Sequence, residues 1–158
     1  TENGTDAVEF LISTNPGEAI RPLAKVVSGG ELSRIMLAIK TILADRDETE
    51  TLIFDEIDTG ISGRTAQKVS EKMAQIGQRH QVICITHLPQ IAAMADTHFL
   101  IEKSVKENRT VTDLTKLSEE GSLRELARLL GSEEVSEAAI SNAKEMKVTA
   151  QKAKEQTT

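Results

Sequence analysis

Residues Thr51–Gly60, TLIFDEIDTG, constrain the fold of this chain more than any other stretch. Leu52, Ile53 and Phe54 form a short apolar run that stops at two adjacent carboxylates, Asp55 and Glu56. A run this short, bounded by charge, reads as a strand buried on both faces, as in a parallel sheet. The carboxylates then stand at its C-terminal edge, where open α/β sheets place their ligands. Two neighbouring acids there suit Mg-nucleotide chemistry, one holding the metal and the other orienting or deprotonating a water. The same residues also read as a strand that ends in a solvated acidic turn.

The flanking chain predicts alternating strands and helices. Val8–Ser13 reads as a strand, ended by a turn at Asn15-Pro16-Gly17. After Ser28-Gly29-Gly30, Leu32, Ile35, Met36, Ile39, Ile42 and Leu43 recur at the spacing of one buried helix face. A second helix carries Ala66, Val69, Met73 and Ile76 on one face and closes near Gly77. Gln81–Thr86 is a second buried strand ending at His87, and Pro89 opens a short helix with Ile91 and Met94 inward. Thr97–Ser104 and Thr110–Leu117 flank Lys106–Arg109 as a β-hairpin. Ser122 and Glu125 form a capping-box pattern for a helix over Leu123–Leu130, ended by Gly131. Ser136–Lys154 continues as a charged helix with Val135, Ala139, Ala143 and Met146 on one side and a fraying end. With no internal repeat and no Pro-, Gly- or Ser-rich linker, residues 1–158 read as one α/β domain, a size that can bury a real core.

Charge and composition narrow the partners. The net charge is −6, which argues against a broad phosphate-neutralising surface. Phe10, Phe54 and Phe99 are the only aromatics, so platforms for stacking bases are nearly absent. No apolar run approaches the roughly 20 residues of a membrane span. The single cysteine, Cys84, sits in an apolar run and cannot support a disulfide framework. The expected setting is reducing and cytoplasmic, without a membrane partner.

Three local patterns carry chemistry, each with a plainer reading beside it. Ser28-Gly29-Gly30-Glu31-Leu32-Ser33 puts two glycines and a serine at a helix start. Glycines let backbone approach a ligand closely, and the first turn offers unpaired N–H groups at the positive end of the helix dipole. The segment can hold a terminal phosphate, or Ser28 can simply be an N-cap. His87, at the end of the second strand, can donate to a γ-phosphate or be a surface histidine. Asp58-Thr59-Gly60 is a turn at the edge of the same site.

Taken together and in this order, the patterns resemble the ATPase heads of the ABC and SMC class. SGGELS is similar to the signature motif, TLIFDE to the Walker B strand, the segment from Asp58 to the D-loop, and His87 to the switch histidine. Over STNPGEAIRPLAKVVSGGELSRIMLAIK, FDEIDTGISGR and ITHLPQIAAMAD the chain resembles the C-terminal part of the RecN family, bacterial SMC-like DNA-repair ATPases. The resemblance runs from about Val8 to Gly131. It implies the C-terminal lobe of a P-loop NTPase head, a mostly parallel sheet flanked by helices with a small hairpin.

The resemblance also implies roles. Asp55 would hold Mg²⁺ and Glu56 would be the general base for the attacking water. His87 would contact the γ-phosphate of ATP in its own subunit. Ser28, Gly29 and Gly30, with Glu31 in the same motif, would reach the γ-phosphate of ATP bound to an opposite head, and Asp58 would lie at the dimer seam. ATP would join two heads in a homodimer, and hydrolysis would release them. DNA would be engaged by the full-length protein near the nucleoid, in double-strand-break repair and recombination.

One part of such a head does not occur. The Walker A loop needs G-x-x-x-x-G-K-[ST], and none of the nine glycines is followed by lysine. Gly60-Ile-Ser-Gly63-Arg64-Thr65 has the wrong spacing and an Arg in place of Lys. The RecN-like plan puts the Walker A loop in an N-terminal lobe beyond a long coiled coil, so the chain reads as half an active site, inactive alone. Two alternatives stand beside this: the head lobe of another SMC-like or ABC ATPase, and a non-catalytic dimerisation module.

Overall fold

The computed structural model describes residues 4–13, 16–25, 28–44, 46–106, 109–131 and 136–156. It begins with a minimal hairpin, β1 (Leu11–Ile12) antiparallel to β2 (Arg21–Pro22), then one turn of 3-10 helix (Leu23–Lys25). The strand expected over Val8–Ser13 is therefore two residues long. Pro22 faces Leu11 and has no N–H to extend the ladder, and Val8 and Phe10 stay exposed. Pro16 and Gly17 form the expected turn, Gly17 with φ 89°, while Asn15 lies outside the described residues.

The centre of the fold is a helix and one crossover around one parallel strand pair. Helix α1 (Gly29–Leu43) leads into β3 (Thr51–Phe54). Parallel pairing needs a crossover connection, and α2 (Gly63–Gly77) supplies it before β4 (Gln81–Cys84). Leu52 pairs with Val82 and Phe54 with Cys84. Ala66, Val69, Met73 and Ile76 of α2 are buried, as their spacing predicts, the last three in a core with Leu37, Leu52, Phe54, Ile57 and Ile91. After α3 (Pro89–Ala92) the chain turns back as an antiparallel hairpin, β5 (Phe99–Lys106) and β6 (Arg109–Lys116). Among the described residues β3–β4 is thus the only parallel pair. A third parallel strand would need another crossover, and the remaining chain goes instead into the hairpin, α4 (Glu119–Leu129) and α5 (Glu137–Glu155).

The last two helices pack through small side chains. Ala127, Ala139, Ala143 and Ala150 are buried with Leu126, Ala92, Ala93 and Met94, where alanines let backbones approach closely. Val135 lies outside the described residues. Helix α4 starts earlier than its sequence pattern predicts. Ser118, followed by two glutamates, is the N-cap and accepts from the Gly121 N–H, an arrangement the helix dipole favours. Ser122 is instead buried inside the helix, 2.9 Å from His98 Nδ1. Burial holds the His98 imidazole below its ordinary pKa against the opposing pull of Glu125.

Two sequence expectations fail in the same direction. Strand β3 is buried on one face only: Leu52 and Phe54 point into the core, while Ile53 is 68% exposed. On α1 the apolar stripe is not the buried face, since Leu32, Met36, Ile42 and Leu43 are exposed and Leu37 is the buried leucine. Both follow from how α1 docks. It turns Gly30, Ser33, Arg34 and Leu37, one face at i, i+3, i+4 and i+7 spacing, toward the turn after β3. The Leu32 and Met36 side is left beside Ile53, lining an open groove of about 280 Å³. Ile83 and Ile85 are half-exposed as well. No helix among the described residues is long and apolar enough to cross a membrane.

Candidate functional site

The parallel register decides where the polar groups go. Because Phe54 and Cys84 are partners, and Ile85 N–H donates to Phe54 O at 3.1 Å, β3 and β4 end side by side. Asp55 and Glu56 leave one tip and His87 leaves the other. The acids and the imidazole therefore share one sheet edge, and α1 brings the glycines to it. An ideal Cβ on Gly29 would stand 2.5 Å from Glu56 Oε2, and one on Gly30 would stand 2.7 Å from the Glu56 carbonyl oxygen. Ser28, Gly29, Gly30, Asp55, Glu56, Asp58 and His87 thus lie in one neighbourhood.

Each group is held by an identifiable contact. Ser28 caps α1: its hydroxyl accepts from the Glu31 N–H at 3.3 Å, and the Glu31 carboxylate accepts from the Ser28 N–H at 3.1 Å. This is a capping box, so the plainer reading of Ser28 describes its resting geometry and engages Glu31 as well. A hydroxyl that accepts one bond keeps its proton to donate, so the cap leaves Ser28 able to face a phosphate. Asp55 and Glu56 are exposed, and Asp55 Oδ1 accepts from the Glu56 N–H at 2.9 Å. Glu56 adopts φ 55°, alone among the described non-glycine residues in the left-handed region. Such a conformation costs of order 1–3 kcal/mol and persists where surrounding contacts enforce it.

Those contacts come from α1. Ser33 Oγ donates to the Asp55 carbonyl at 2.9 Å, and Arg34 Nη1 donates to the carbonyls of Ile57 at 3.1 Å and Thr59 at 2.9 Å. Between them, Ile57 is wholly buried. The turn after β3 is therefore clamped from α1 at three carbonyls. Sequence reading includes Ser33 only as the last residue of the SGGELS stretch and gives Arg34 no role. The signal was available: two polar residues one turn after Gly30, on the same helix face.

Asp58 faces inward. The residue is 3% exposed, and two donors converge on Oδ2, the Thr86 hydroxyl at 2.6 Å and the His87 N–H at 2.7 Å, with His87 Nδ1 at ion-pair distance, 3.0 Å, from the same oxygen. Burial alone would push this carboxyl up. The Thr86 and His87 hydrogen bonds and the neighbouring imidazole outweigh it and hold the carboxyl below the usual carboxylate range. Thr86 also accepts from the Leu88 N–H at 3.0 Å, at the start of α3. The His87 side chain is 70% exposed. Nearby, burial and the charges of Asp58 and Asp55 push the Cys84 thiol up to about 12, so it stays protonated and unreactive at neutral pH.

Among the described residues no group of three or more His, Cys, Asp or Glu could hold a metal. The hard oxygen donors of Asp55 nevertheless fit Mg²⁺, which is commonly bound by one or two carboxylates and completed by water and phosphate oxygens.

The two glycines make separable predictions. Gly30→Ala places a methyl against backbone and is expected to cost about 1–3 kcal/mol. Gly29→Ala meets only the far end of the flexible Glu56 side chain, and Ala is better than Gly in a helix, so it should be near neutral. Urea midpoints of the two variants check this, and equal losses would contradict the packing described.

No protein-family model matches the chain. The curated protein "DNA repair protein RecN" of Halalkalibacterium halodurans is 52% identical over 145 residues, covering 92% of this chain and 26% of that protein. The Bacillus subtilis protein of the same name is 51% identical, with 92% and 25% covered, and that of Vibrio cholerae 48%, with 93% and 26% covered. A solved structure from work on ATP-driven dimerisation and DNA-stimulated activation of SMC ATPases superposes with a TM-score of 0.50 at 22% identity, covering 78% of this chain and 81% of that one. That likeness speaks for the fold.

Proposed function

The chain belongs to the RecN family of DNA repair proteins along 92% of its length and spans about a quarter of its relatives' length, and from that premise we propose that it is one lobe of an ATP-hydrolysing head. The observation that carries this reading is the single sheet edge shared by the acid pair, the histidine and the glycine-lined start of α1. In the proposed cycle Asp55 holds Mg²⁺, which when bound neutralises charge on the phosphate oxygens. Glu56 accepts the proton of a water as its oxygen bonds to the γ-phosphorus and the bond to the β–γ bridging oxygen breaks. His87 presents Nε2 to the γ-phosphate, and Ser28, Gly29 and Gly30 donate to the γ-phosphate of ATP on a second head. Catalysis of this kind is mostly positioning and charge stabilisation.

The lobe lacks a phosphate loop of its own, and its apolar face at Ile53, Ile83, Ile85, Leu32 and Met36 is the surface on which a Walker A lobe would pack. Two such heads joined through ATP would couple hydrolysis to the DNA held by the whole protein, in a cytoplasmic setting. The test is reconstitution. The chain alone should turn over no ATP, and turnover should appear when a polypeptide carrying G-x-x-x-x-G-K-[ST] from the same protein is added. Hydrolysis by the chain alone, or none by the pair, would overturn the reading. Unchanged DNA-repair function with Asp55 and Glu56 both neutralised would favour the non-catalytic dimerisation module.

A further inference from the structure

The strand tips are joined by a bond that the proposed cycle does not use. We infer that Asp58 is a positioning residue for His87, fixing the ring so that Nδ1 is its inward donor and Nε2 alone is left for a ligand. The inference rests on the functional reading above only for the meaning of that ligand, a terminal phosphate. The geometry stands by itself.

The argument starts from the carboxylate. Asp58 is buried, its Oδ2 receives the Thr86 hydroxyl and the His87 backbone N–H, and the His87 ring nitrogen Nδ1 stands 3.0 Å from the same oxygen. An ionised carboxylate only accepts, so the ring nitrogen 3.0 Å away must be the one carrying hydrogen. The backbone N–H of His87 is thus bound to the same oxygen that its ring nitrogen faces. This fixes both where the strand ends and how the imidazole is turned. Thr86 steadies the carboxylate from the side and is itself tied to Leu88. With Nδ1–H committed inward, Nε2 faces the exposed side. A histidine held in this way has a defined tautomer, as metal-bound and catalytic histidines have when a carboxylate holds the other nitrogen. Asp58 sits on the turn after β3, two residues from Glu56, so the same contact ties the position of His87 to the turn that carries the acid pair.

This assigns Asp58 a task within its own chain, distinct from a contact across a dimer seam. The two tasks separate in the pair Asp58→Ala and Asp58→Asn: alanine takes away the oxygen that Nδ1 faces, whereas the amide can keep an oxygen in that place.

The test has two arms. In the 158-residue chain, ¹⁵N-histidine NMR at a pH where the imidazole is neutral should show His87 as the Nδ1–H tautomer. Asp58→Ala should release it toward Nε2–H, and Asp58→Asn and Thr86→Val should leave Nδ1–H in place. In the full-length protein, Asp58→Ala should lower kcat for ATP roughly 10-fold or more with KM little changed. Combined with His87→Ala, it should add nothing to the loss from His87→Ala alone. A wild-type His87 that is Nε2–H overturns the inference without need of any variant, as does a double variant whose losses multiply. A wild-type full-length protein that hydrolyses no ATP would instead remove the functional reading and leave the tautomer result to decide the inference.

Discussion

Replacing Glu56 by Gln in the full-length protein should lower ATP turnover by about two to four orders of magnitude, the usual contribution of a positioned general base. Glutamine keeps the size of the side chain and can occupy the same backbone conformation, so the φ of 55° and the contact with Gly29 should survive. Binding of ATP should therefore persist while the proton of the attacking water has no acceptor. The nucleotide-bound dimer should live longer in proportion. Single-turnover hydrolysis and the lifetime of the ATP-bound dimer, measured on the same preparation, check both halves. Undiminished turnover would remove Glu56 as the base.

The largest loss of stability is expected from Ile57→Ala. Ile57 is completely buried with Leu52, Phe54, Met73 and Ile91, and removing a buried isoleucine to alanine typically costs about 2–5 kcal/mol. Its position makes the consequence chemical as well. It anchors the turn between Glu56 and Asp58, so the cavity opens directly beneath the acid pair. Ile53→Ala, four residues earlier but largely exposed, should change stability by less than about 0.5 kcal/mol in the chain alone. Urea denaturation of the two variants makes the comparison, and similar midpoints would contradict the one-sided burial of β3.

Sequence reading reached the parts of the fold where pattern and packing agree. The run Leu52–Phe54 and the run Val82–Cys84 are short and apolar, and α2 repeats its apolar residues with nothing competing for them. Strand, crossover and strand were therefore legible, along with the edge on which Asp55, Glu56 and His87 meet. Elsewhere the pattern was present but ambiguous. Helix α1 has a clear apolar stripe, yet periodicity gives a direction without saying what lies in that direction, and here the core took the side with Gly30 and Leu37. Ser118 and Ser122 both look like helix caps, and the choice was made by tertiary contact between Ser122 and His98.

The interior of the site was less legible still. The left-handed backbone of Glu56 has no local sequence signature, because the contacts enforcing it come from Ser33 and Arg34, more than twenty positions away. Asp58 read as a turn residue because burial of a carboxylate depends on partners, and Thr86 and His87 follow a different strand, β4. The family resemblance supplied motif names for these positions. The distances supplied what each side chain touches.

Ser33 and Arg34 grip the turn after β3 by its peptide oxygens, at positions 55, 57 and 59. Every amino acid offers such an oxygen, so, with the isoleucine at 57 fixed by its own burial, the grip is blind to which residues occupy the exposed positions 55 and 59. The turn could be recoded there for a different chemistry, and α1 would still hold its path. The reverse does not apply: a change at position 33 or 34 loosens the path whatever the turn is made of.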